Sequence, residues 1–132
     1  MKKKIVVGVI VLIIISIFIL FFIKVNVCLY VGNSSSSYNG NGIDIQLRID
    51  DKLILEDSIY HNPFSYKQID EELKFGIHKI KVSSTKANIS EEKTIFLLPN
   101  QFICVEFYPG INNESEKPKF SIENRFNPFY YE

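Results

Sequence analysis

A chain of 132 residues with 15 Lys and Arg against 15 Asp and Glu carries no formal net charge, but that balance hides two unlike parts. Lys2, Lys3, Lys4 and Lys24 all fall in the first 24 residues, and without them residues 25–132 hold 11 basic against 15 acidic side chains, a net of −4. A mildly acidic surface has no clustered cations to neutralise phosphates, which excludes nucleic acid as a partner, and the roughly 90 residues from Ile43 on leave room for one small core.

The run Ile5–Ile23 is apolar throughout except for Gly8 and Ser16. As an α-helix it would rise about 28 Å, close to the hydrocarbon thickness of a bilayer. Lys2, Lys3 and Lys4 precede it and only Lys24 follows closely, so the positive-inside bias places the N-terminus in the cytoplasm and everything after the run outside. A cleavable signal peptide is the main alternative, but its apolar region is shorter and ends in small residues, whereas this run gives way to Phe21-Phe22-Ile23-Lys24. Lipidation at Cys28 is a third option, disfavoured by Val27 ahead of the cysteine and by Lys24.

Val25–Val31 is β-branched and loosely alternating, and reads as a first strand rising off the membrane or as a continuation of the helix. Gly32–Gly42, rich in Gly, Asn and Ser, reads as a flexible linker. From Ile43 the period is two: Ile43, Ile45, Leu47 and Ile49 share one face and Asp44, Gln46, Arg48 and Asp50 the other. Asp50-Asp51-Lys52 turns the chain into Leu53-Ile54-Leu55, a hairpin whose aspartates tolerate left-handed backbone. His61-Asn62-Pro63 reads as a loop, and Ile69–Leu73 as either a helical turn or an extended segment. Further strands are expected at Ile77–Val82, Thr94–Leu97, Gln101–Tyr108 and Lys119–Ile122, with a polar loop at Ile111–Pro118. No segment after the start sustains a period of 3.6 residues.

The expected architecture is all-β: an antiparallel β-sandwich of about seven strands preceded by a single N-terminal transmembrane helix. The divisions are a Lys-rich start and anchor (1–24), a membrane-proximal segment and linker (25–42), the sandwich (43–123) and an aromatic tail (124–132). Ile45, Leu47, Ile49, Ile80, Val82, Ile95, Val105 and Phe107 are the expected core.

Two segments together resemble a known pattern. Leu47-Arg48-Ile49-Asp50-Asp51-Lys52-Leu53 followed by Leu73-Lys74-Phe75-Gly76-Ile77-His78-Lys79-Ile80-Lys81-Val82 is similar to the carboxypeptidase-regulatory-like and PEGA-like modules, small surface sandwiches of prealbumin-like fold. Their later strand reads Leu-x-x-Gly-x-His-x-Ile-x-Val, matched at Leu73, Gly76, His78, Ile80 and Val82, while Asp51 stands where their hairpin usually has Gly. The resemblance spans about 40 residues and implies a noncatalytic module for adhesion, display or partner contact.

Candidate chemistry is sparse. His78 falls on the inner face of its strand, where it is expected to donate to a backbone carbonyl, and His61 has no clustered partner. Acyl transfer needs a nucleophile, a base and an orienting group within reach of one another, and no serine stands in a Gly-x-Ser-x-Gly turn. Asp50/Asp51, Glu71/Glu72 and Glu91/Glu92 are sequence neighbours, poor acid–base pairs because adjacent strand residues point to opposite faces. Cys28 and Cys104 read as a pair of unbonded small hydrophobes, or as a disulfide on the oxidising side of a membrane. No CxxC motif or Cys/His cluster supplies a metal or redox site. Phe126, Phe129, Tyr130 and Tyr131 crowd the C-terminus, where most chains are polar and frayed. They are the expected partner-binding residues, with Phe and Tyr as rigid anchors, or else an edge cap. The expectation is a noncatalytic, membrane-anchored, extracytoplasmic contact module that needs no cofactor. The alternative is a small extracytoplasmic hydrolase or metal-dependent enzyme.

Overall fold

A computed structural model describes residues 2–20, 22–34, 42–60, 66–110 and 117–127, with helix side chains from Ile5 to Ile19. One helix, α1 (Lys2–Leu20), is followed by eight strands: β1 (Lys24–Asn33), β2 (Ile43–Ile49), β3 (Lys52–Ile59), β4 (Lys67–Lys74), β5 (Gly76–Ser84), β6 (Ile89–Leu97), β7 (Phe102–Tyr108) and β8 (Lys119–Arg125). The helix begins and ends three residues earlier than the apolar run, because Lys24 already belongs to a strand and the chain must turn at Phe22 to reach it. Its described side chains are all exposed. Among the described residues no helix is long and apolar enough to cross a membrane.

The strands form two four-stranded sheets, ordered β4-β1-β7-β8 and β3-β2-β5-β6. Alternation decides which side of each strand is buried. In β1, Val25, Val27, Leu29 and Val31 point inward while Asn26, Cys28 and Tyr30 point out. The eight residues expected in the core are all buried there, joined by the four from β1 and by Leu97, Ile103, Phe120 and Ile122.

Three differences from the sequence reading share one cause, long-range pairing. The segment 25–42, expected to stand outside the sandwich, contributes β1 to the middle of a sheet, so the folded unit starts near Lys24 and not at Ile43. That strand pairs antiparallel with β4, Lys24 opposite Lys74, but parallel with β7, Cys28 opposite Phe102, so the first sheet is mixed and not wholly antiparallel. Lys67–Lys74 is an eighth strand: its inward positions Ile69 and Leu73 pack on the core, and Glu71 between them reaches Lys52 Nζ at 3.0 Å. At the other end β8 runs to Arg125, past the expected boundary at residue 123. Within the expected linker, Gly32 and Asn33 belong to β1, and residues 35–41 lie outside the described residues. A Cβ at Gly32 would collide with the ring of Tyr66, which lies across it.

The hairpin between β2 and β3 has a two-residue loop, with Ile49 opposite Lys52. Asp50 and Asp51 both take left-handed backbone, φ 49° and 66°, as a type I′ turn requires. Gly76, at φ 126°, occupies backbone that side chains resist, and from it β5 starts.

Asp44 ties β2 to the turn after β5. Its carboxylate accepts from Ser84 Oγ at 2.7 Å and from the backbone N–H groups of Thr85 and Lys86 at 2.8 and 2.9 Å. Burial raises the pKa of Asp44, but hydrogen bonds from Ser84, Lys86 and Thr85 outweigh it and hold the group below its ordinary value. A depressed folded-state pKa gives stability that is present above the unfolded value, about 4, and lost as the pH falls through the folded one. Asp44→Ala should therefore cost about 1–3 kcal/mol at neutral pH, with the loss shrinking in acid. Urea unfolding of both proteins at pH 7 and pH 3 checks this, and an equal loss at the two pH values would refute it.

Candidate contact surface

The outer face of the β4-β1-β7-β8 sheet carries the richest set of side chains. Its outward positions follow from the register: Asn26 opposite Glu72, Cys28 opposite Asp70 and Phe102, Tyr30 opposite Gln68 and Cys104. The Tyr30 ring lies between Tyr66, edge-on at 6.4 Å, and Phe102 at 5.9 Å, giving a row of three aromatics across the sheet. Toward the start of β1 an open groove is lined by Asn26, Cys28, Asp70, Glu72, Phe102 and Phe126. Lys24 meets Glu72 at 2.6 Å, but both side chains are more than half exposed, and such pairs add little.

Phe126, one of the four expected partner-binding residues, sits just past β8 with 63% of its surface exposed. The pairing of Arg125 with Phe102 delivers the chain to the groove at this point. Phe129, Tyr130 and Tyr131 lie outside the described residues, as does His61.

At the far end of the same face Glu106 accepts from Tyr108 Oη at 2.7 Å and from Ser34 Oγ, and lies 3.4 Å from Tyr66 Oη. Burial, and then the hydrogen bond to Glu106, push the Tyr108 phenol well above its ordinary range, so it stays a donor. This cluster fastens the end of β1 to β7 and to the start of β4.

Both cysteines are free thiols. They lie on the same face but diagonally, two residues apart along parallel paired strands, which at about 4.8 Å between strands and about 3.3 Å per residue puts their Cα atoms about 8 Å apart. That exceeds what a disulfide bridges without backbone movement. Burial is the largest cause raising both pKa values, so neither is an activated thiolate.

His78 is buried, 5% exposed, and both ring nitrogens are engaged. Nε2 lies 2.6 Å from the Lys74 carbonyl oxygen, the backbone acceptor expected for it. Nδ1 lies 2.6 Å from Asp50 Oδ2, and Asp50 Oδ1 accepts from the Lys79 N–H at 2.9 Å. The ring thus pins the β2–β3 hairpin to the β4–β5 connection, with no nitrogen left to act as a base. The neighbouring carboxylates are separated as the strand geometry demands: Glu71 turns to Lys52 and Glu72 to Lys24, and Glu92 pairs with Lys79 at 2.9 Å. Among the described residues no group of three or more His, Cys, Asp or Glu side chains is arranged to hold a metal.

The Asp50 partner of His78 was not visible in the sequence, because it lies 28 residues away and the intervening segment gives no pairing signal. Asn33, which begins an Asn-Ser-Ser sequon, is buried and donates to the Ile59 carbonyl at 3.0 Å, a structural tie that removes it from the surface. No family model, curated protein or solved structure matches the chain.

Proposed function

We propose that the protein is a noncatalytic, membrane-anchored sandwich module that contacts a neighbouring membrane or envelope protein on the extracytoplasmic side. The observation that carries this is α1: its described side chains are apolar around the whole circumference and all exposed, and three residues after its end the chain enters a sheet. An all-round apolar helix with no protein cover belongs in lipid. The one hydroxyl along it, Ser16, donates to the Leu12 carbonyl at 2.9 Å, so no polar group would be left unpaired there. The apolar part of α1, Ile5–Leu20, rises about 24 Å, and the apolar Phe22 and Ile23 follow it before Lys24. Orientation rests on Lys2–Lys4, as the positive-inside bias dictates.

The contact half of the reading is supported by Phe126, an exposed ring beside the groove and the root of the aromatic tail. The sequence likeness of Leu73–Val82 to small surface sandwich modules implies the same kind of role. The enzymatic alternative has less support, since His78 is fully engaged and the two thiols are not activated.

The test is replacement of Phe126, Phe129, Tyr130 and Tyr131 by Ala in the full chain, followed by crosslinking in native membranes. The expected result is loss of a discrete crosslinked species with an unchanged thermal midpoint of the sandwich. A variant that keeps the species and the midpoint makes these residues an edge cap only.

A further inference from the structure

Exposed large apolar side chains are distributed unevenly along the sandwich. Strand register fixes the two ends: Lys24, Lys74, Gly76 and Leu97 mark the end that α1 enters, and Asn33, Lys67 and Phe107 lie toward the other. Near the entry end the exposed residues are Phe22, Ile23, Ile77, Phe96 and, slightly higher, Phe126. Leu53 lies midway, opposite Arg48. Among the described residues, those toward the far end are Tyr60, Tyr66 and Tyr108, each with a hydroxyl. Ile77 and Phe96 face each other across β5 and β6 on the outer side of their sheet, 71% and 47% exposed.

Ile23, Phe75, Phe96 and Ile77 form one connected corner. The Phe75 N–H donates to the Ile23 carbonyl at 2.9 Å, and the Phe75 ring meets that of Phe96 edge-on at 5.3 Å. Only three residues separate α1 from β1, and three extended residues reach about 11 Å at most. If α1 is in a bilayer, this corner is held at its surface.

We propose that the Ile77–Phe96 corner is seated in the headgroup–acyl boundary of the bilayer that α1 enters, so that the sandwich stands on the membrane in one orientation. The proposal rests on the anchor reading above. Lipid is the occupant the observations favour. The corner follows within three residues on the apolar helix α1, it carries Phe and Ile without hydroxyls, and among the described residues the exposed large apolar side chains of the far end are tyrosines. An interfacial segment buries such apolar groups about 5–10 Å into this boundary, and the short connection leaves the sandwich little freedom to withdraw.

The chain contains no Trp, so each single-Trp variant reports one place. Full-length Phe96→Trp, Ile77→Trp, Tyr108→Trp and Phe18→Trp would be reconstituted in phosphatidylcholine–phosphatidylglycerol vesicles. Half of each set would contain lipid brominated on the acyl chain near the headgroup. Phe18→Trp, Phe96→Trp and Ile77→Trp should lose fluorescence to the brominated lipid and emit to the blue of the far-end variant, while Tyr108→Trp should do neither. Quenching at Phe18→Trp without quenching at either corner variant overturns the seating and leaves the anchor standing. That would also be the outcome if a second copy or another protein covered the corner. Quenching of Tyr108→Trp equal to that of the corner overturns the fixed orientation. An unquenched Phe18→Trp removes the anchor and the seating together. Ile77→Trp guards against a Phe96→Trp chain that misfolds, which circular dichroism would reveal.

Discussion

A chain beginning at Gly42 is expected to show no cooperative thermal transition, whereas one beginning at Phe22 should melt as a folded β protein. The difference is β1, which brings Val25, Val27, Leu29 and Val31 into the core, the last two fully buried. Burying four such side chains stabilises by roughly 1.5–3 kcal/mol each, so their loss is comparable to the whole net stability of a small domain, about 5–15 kcal/mol. The backbone loss compounds it. The strand is flanked by β4 and β7, and its removal strips both of their partner on that side. β4 would then have no neighbour in its sheet, and the inward faces of β2 and β5 would look onto a gap. Circular dichroism and a thermal scan of the two truncated chains decide the matter. A cooperative β-type transition from the Gly42 chain would show that β1 is dispensable.

What could be read from the sequence, and what could not, follows from the range of the interactions. The alternation of β2 and β5 was plain because each has one face buried and the other solvated, so Ile45, Leu47, Ile49, Ile80 and Val82 were legible as core. The Asp50-Asp51 turn was legible for a local reason, the tolerance of Asp for positive φ. Strand β1 has an equally clean inner face, yet Gly32 and the Ser-rich stretch after it mark a linker by composition. Nothing local reveals that the strand pairs in parallel with β7, some seventy residues on. Strand β4 was obscured by Asp70, Glu71 and Glu72, whose charge suits a helical turn as well as an extended segment until Lys24 and Lys52 are seen to meet two of them. The edge strand β6 starts at Ile89, five residues before the expected Thr94, because Ser90–Thr94 is exposed on both faces and carries no periodic signal. At the candidate surface Phe126 was legible as an aromatic near a terminus. The groove beside it was not, since its walls come from three strands distant in the chain.

Two substitutions three residues apart on β5 separate the core from the surface most sharply. Ile80→Asp should leave the protein unfolded at room temperature, and Ile77→Asp should leave its midpoint nearly unchanged. Ile80 has no exposed surface, and it lies across from Ile49 on one side and Lys93 on the other. Replacing it forfeits about 1.5–3 kcal/mol of apolar burial. It also forces a carboxylate into a site lined by aliphatic side chains, at a further cost of several kcal/mol unless the group is neutralised or reaches water. The sum approaches the net stability of the domain. Ile77 points the other way, because neighbouring strand positions alternate and an odd offset of three exchanges the faces. With 71% of its surface exposed, an aspartate there loses little burial and keeps its hydration, so a change within about 0.5 kcal/mol is expected. Urea denaturation of the two variants beside the parent chain, in detergent so that α1 is solvated alike, gives the comparison. An Ile80→Asp protein with a parental midpoint would refute the register of β5, and with it the inward placement of His78.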